Sequence, residues 1–80
     1  MNKEKYFRIP IDTYTLALDN IKKPKYIGAF EEYLVGGFSE TMAYIKAIVF
    51  EKYYEALIKK EDVSELSEED YLIAIKKINK

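Results

Sequence analysis

The sequence predicts an all-α domain: a small three- to four-helix bundle around one long central helix, with room for a short N-terminal strand. Three observations point there. Apolar residues recur at helical spacing over 40–60. Two segments begin with a serine followed by acids and end in paired lysines. Pro24 and Gly36-Gly37 fall between the expected elements. Eighty residues suit one domain, 1–80.

In chain order, Glu4-Lys5-Tyr6-Phe7-Arg8-Ile9 reads as a short strand ended by Pro10, which lacks a ladder donor. Asp12 is the expected N-cap of a first helix over 13–20, with Ile11 and Leu16 at the staple positions. Pro24 suits the first turn of a second helix over 25–35. Its apolar stripe is Tyr26, Ile27, Phe30, Tyr33 and Leu34, and Gly36-Gly37 end it. Ser39 caps the third and longest, 40–60, with Glu40 in its first turn and Lys59-Lys60 in its last. Ser67 caps the fourth, 68–78. Glu68, Glu69 and Asp70 open it, Leu66 and Tyr71 staple it, and Lys76-Lys77 lie near its end.

Projected as a helix, 40–60 places Met42, Ile45, Val49, Phe50, Tyr53, Ala56 and Leu57 on one apolar arc. Tyr44 and Ile48 then fall inside the charged arc, and Lys46 falls inside the apolar one. Two readings follow. Either neighbouring segments wrap the central helix and cover Tyr44 and Ile48, or these two face a second chain.

Composition narrows the function. With no Cys and no His, thiol nucleophiles, disulfides, imidazole metal sites and histidine bases are excluded. Gly28, Gly36 and Gly37 build no phosphate loop or nucleophile elbow. The paired acids Glu31-Glu32 and Glu51/Glu55 read as solvated, so no enzyme, cofactor or small-molecule substrate is expected. A core this small, without disulfide or metal, favours a partner. Eight Tyr and four Phe suit an interface. Twelve Lys to one Arg, with ten Ile, is also what AT-rich coding produces, which points to a low-GC host or its phage or plasmid. No signal-like apolar stretch follows Met1-Asn2-Lys3-Glu4-Lys5, and no charge-free run approaches a membrane span. A cytoplasmic protein is expected.

Charge is uneven along the chain. Glu61, Asp62, Glu65, Glu68, Glu69 and Asp70 crowd one short stretch, either as a solvated turn and helix start or as a docking surface for a basic partner. Residues 1–30 are net basic, with Lys and Arg interleaved with Tyr and Phe, a pattern able to hold phosphates and stack bases. Gly37-Phe38-Ser39-Glu40-Thr41, with Ala47 beyond, resembles the start of the second helix of ribbon-helix-helix DNA-binding proteins. Lys5-Tyr6-Phe7-Arg8-Ile9-Pro10 is similar to their strand, although Pro24 interrupts the first-helix interval. The resemblance implies a dimeric regulator whose paired strands enter the major groove, with Lys5, Phe7 or Arg8 in contact with DNA.

The first expectation is therefore a non-catalytic protein–protein interaction module. It would be a small accessory or inhibitory protein of a phage or mobile element that self-associates, as a homodimer, or docks on a larger protein. Tyr44, Ile48, Glu61, Asp62 and Glu65 are its expected contact residues. The ribbon-helix-helix regulator is the alternative.

Overall fold

Period-two alternation, rather than helical spacing, governs the middle of the chain. The computed structural model of the protein describes residues 3–16 and 19–79, with the backbone alone at 13–16 and 19–21. Its elements are β1 (Glu4–Leu16), β2 (Asp19–Pro24), a 3-10 turn (Ile27–Ala29), β3 (Phe30–Phe38), β4 (Met42–Val49), α1 (Glu51–Ile58), β5 (Ser64–Leu66) and α2 (Glu68–Ile78). The strands form one curled antiparallel sheet in the order β2-β1-β4-β3, with β5 added beside β1.

This is a mostly β fold, so the all-α bundle is corrected. The helix expected over 13–20 is replaced by the hairpin arm of β1 and β2, with Ala17 and Leu18 outside the described residues. The helix expected over 25–35 is the 3-10 turn and most of β3, while that over 40–60 divides into β4 and α1. The strand expected at 4–9 exists, but it runs on through Pro10. Only the helix over 68–78 stands as expected, with Ser67 Oγ accepting from Asp70 N at 3.1 Å.

Alternation places Ala43, Ile45, Ala47 and Val49 of β4 on one face, all buried, and leaves Met42, Tyr44, Lys46 and Ile48 half-buried on the other. Phe7 and Ile9 of β1 join the first set at 0% exposure, and Phe30 of β3, Leu57 of α1 and Val63 close the core. Phe7 lies between Ile45 of β4 and Glu65 of β5 in the ladder, its ring 6.0 Å from that of Phe30. Of the apolar arc expected over 40–60, Phe50, Tyr53 and Ala56 are exposed.

Pro10 sits where β1 changes partners. Its carbonyl accepts from Lys25 N on the β2 side, while Ile11 N donates to Thr41 O on the β4 side. The missing N–H therefore faces the gap between β5, which ends opposite Arg8, and β2, which begins opposite Ile11. No ladder bond is lost there.

The second face of the sheet carries α2. Tyr71 is buried against Tyr6, ring centroids 4.8 Å apart, and Ile75 and Ile78 lie over Gly36 and Gly37. The β3–β4 register shifts at Gly36, so two consecutive glycines oppose Tyr44 and the helix settles close to the strand.

Candidate protein-interaction edge

The sheet ends at β3, which pairs with β4 and with no other strand among the described residues. Hydrogen-bond alternation shows which groups this leaves outward. The Ile11–Thr41 bond directs the backbone of Ala43, Ile45 and Ala47 toward β1, and hence that of Tyr44, Lys46 and Ile48 toward β3. Glu32 and Leu34, opposite Ile48 and Lys46, point their backbone inward, so Tyr33 and Val35 turn theirs to the open edge. Register shifts at Glu31 and Gly36 bracket this regular stretch.

An apolar strip adjoins the edge on the α2 face. Leu34 is 62% exposed and Leu72 54%, with Ile48 half-buried nearby. Asn79 Nδ2 donates to Gly36 O at 3.4 Å, which fixes the flank of α2 that looks toward β3. Leu72 lies two turns earlier on that flank. Glu4, Glu32 and Lys46 rim an open depression of about 460 Å³ here, with Lys46 Nζ 3.8 Å from Glu4.

Of the residues expected to bind a partner, Ile48 belongs to this strip. Tyr44 sits further along the same face, opposite Gly37 and beside Ile78 of α2. Glu61 lies exposed in a turn. Asp62 accepts from Tyr26 Oη at 3.1 and 3.3 Å. Glu65 accepts from Tyr54 Oη and stands 3.7 Å from Lys5 Nζ. Glu68 accepts from Tyr6 Oη at 3.0 Å. Three carboxylates of the acidic stretch thus fasten its turn to the cap of the 3-10 turn, β5 to α1 and β1, and the start of α2 to β1.

Residues 5, 7 and 8 do not share a face. Phe7 is in the core, and Lys5 is half-buried with its ammonium 4.9 Å from the centre of the Tyr54 ring. Arg8 is exposed on the opposite face, its guanidinium 3.5 Å from Ser64 Oγ. The strand–helix–helix architecture implied by the ribbon-helix-helix resemblance is absent: β4 and β5 occupy both edges of β1 at Tyr6–Arg8, and the next elements are strands. Nothing in the local sequence announced the β3 edge. The segment Phe30–Phe38 lacks Lys and Pro but carries Glu31-Glu32, a mixture that does not distinguish an edge strand.

Tyr26 is the sole non-glycine residue with positive φ among those described, at 62°. Its hydroxyl bond to Asp62 and the Lys60 ammonium over its ring hold this left-handed conformation. Burial and the Asp62 carboxylate raise the Tyr26 phenol above its usual pKa. Burial and Glu68 do the same for Tyr6, the Glu65 hydrogen bond and then burial for Tyr54, and burial alone for Tyr71. The fold thus favours the neutral phenols. Their contribution is complete below the ordinary tyrosine pKa of about 10 and is lost as pH rises through the raised values. Tyrosinate absorbance should show these four ionising late, together with loss of circular dichroism. Ionisation of these four at the free tyrosine value in an intact fold would contradict these contacts.

Other depressions lie among the described residues. One of about 550 Å³ mixes Lys3, Lys5 and Lys52 with Glu51 and Glu55, and one of about 360 Å³ lies between Tyr26, Gly28, Tyr53 and Leu57. No helix among the described residues is long and apolar enough to cross a membrane. The chain matches no protein family, no curated protein and no solved structure.

Proposed function

We propose that the chain is a non-catalytic protein–protein interaction module, an accessory or inhibitory protein that takes up an extended strand along β3. One observation carries this reading. A nine-residue strand ends the sheet, without Lys or Pro, and offers the outward backbone of Tyr33 and Val35 beside exposed Leu34. Natural edges of this length are commonly blunted by charge, proline, bulges or a cover, because their open groups template pairing with another chain. Here Glu31 and Glu32 charge one end, and residues 33–35 are left uncharged. Register shifts at both ends confine the template to Glu32–Val35. Main-chain bonds would supply affinity there, and Leu34, Ile48 and Leu72 would select the apolar side chains of the incoming strand.

The test is an array of extended peptides of varied sequence, followed by amide exchange on the binders. Slowed exchange at Tyr33 and Val35 is the expected outcome. Binders that slow exchange only around Tyr26 and Tyr53, or no binders at all and no self-association, would overturn the reading.

A further inference from the structure

We propose that the strand added to β3 is β3 of a second copy, paired antiparallel about a two-fold axis at Leu34. This rests on the strand-addition reading of the edge and names its occupant. In that register Tyr33 of each copy meets Val35 of the other. These are the two residues whose backbone groups face outward, so each of the two Tyr33–Val35 pairs exchanges both its hydrogen bonds. Leu34 then meets Leu34 in the closer, non-hydrogen-bonded type of pair, with both side chains on the α2 face. A sheet formed this way is continuous across the axis, with both copies of α2 on the same side. The interface is isologous, so it closes at two copies.

Charge fits the same register. Glu32 of one copy falls opposite Gly36 of the other, while the two Glu32 residues lie roughly 13 Å apart along the strands. That exceeds the Debye length of about 8 Å at physiological salt, so their repulsion is mostly screened. Gly36 lies beneath the C-terminal half of α2, where Asn79 marks the flank toward β3. Lys76, three residues before Asn79, occupies that flank and is exposed. Each Glu32 therefore approaches the other copy's lysine, twice by symmetry. Ile48, which lines the same depression as Leu34, extends the apolar strip beside the Leu34 pair, and Leu72 is exposed on the α2 flank that looks toward β3. For a domain with a small core and no disulfide, this burial adds what the single chain lacks.

Light scattering across a concentration series, paired with amide exchange, tests the proposal on the full chain. The expected mass is twice that of one chain, with Tyr33 and Val35 amides slowing as concentration rises. Leu34→Lys places two ammonium groups at the axis and should raise the dissociation constant about a hundredfold, with circular dichroism unchanged because Leu34 is exposed in the single chain. Lys76→Glu should loosen the dimer, and the double variant Glu32→Lys/Lys76→Glu should restore it. A dimer whose Tyr33 and Val35 amides ignore concentration overturns the proposal, as does failure of the charge swap to rescue. A chain that stays monomeric at millimolar concentration, yet protects those amides on a foreign peptide, overturns the second copy and keeps strand addition. A monomer that binds no peptide overturns both.

Discussion

Phe7→Ala should leave most of the chain unfolded at room temperature. The side chain is 0% exposed, and neighbouring strands hold it on both edges. Its ring reaches Phe30, so its loss opens a void between β1 and β3 that three tethered strands cannot readily collapse. Truncations of this kind cost about 3–5 kcal/mol. A single core of this size supplies about the same amount. A urea melt followed by circular dichroism should therefore show no native baseline for Phe7→Ala, whereas Phe7→Leu should cost less and keep a cooperative transition. The pair also separates two views of this residue. Had Phe7 been a surface group meeting DNA bases, its truncation would spare stability, and a melt unchanged from the parent protein would refute the core described here.

Gly36→Val should come next in severity. A Cβ at this position would run into Ile75 Cδ1 and the Tyr71 hydroxyl, both on the buried side of α2. The isoleucine methyl can rotate away, but Tyr71 is pinned against Tyr6 and cannot swing without lifting the helix. Overpacking of this kind costs about 1–3 kcal/mol. The damage should be local. Amides of α2 should exchange faster, while β1 and β4 amides keep their protection, and Gly28→Val should be harmless because a Cβ there meets nothing within 4 Å. Equal tolerance of both substitutions would mean that α2 does not rest on β3 as described.

The reasons why α2 was legible and β4 was not lie in particular residues. In α2 the Ser67 cap, the acids of the first turn and Lys76-Lys77 all favour a helix, and no local signal within the segment opposes it. In β4 the local signals conflict. Ala43, Lys46 and Ala47 are good helix formers, and Ser39 with Glu40 imitates a helix start. The imitation is physical: Met42 N does donate to Ser39 Oγ at 3.0 Å, the bond an N-cap serine accepts three residues on. Here, with Ser39 N donating to Met42 O, it closes the β3–β4 hairpin instead. The decisive hint lay in the misfits of the helical projection. Tyr44, Lys46 and Ile48 fall on the wrong arcs together because they share one face of a strand. Ile48 reached the candidate edge by that route. The edge itself depends on which strand ends the sheet, and pairing between Glu4–Pro10 and Met42–Ile48 leaves no mark on either segment alone.

The double flanking of β1 has a consequence for the order in which the chain is made. During synthesis Phe7 and Ile9 emerge early, yet β4 cannot meet them until Ile48 has left the ribosome, and β5 cannot do so until Leu66 has. The β1–β2 and β3–β4 ladders join neighbouring segments and can close as soon as each is complete. β1, translated before both of its long-range partners, is therefore seated only after β4 and β5 have been made. Through that interval its apolar segment, Tyr6–Ile11, stays without its cross-sheet neighbours, the exposure that makes an incomplete chain prone to non-specific association.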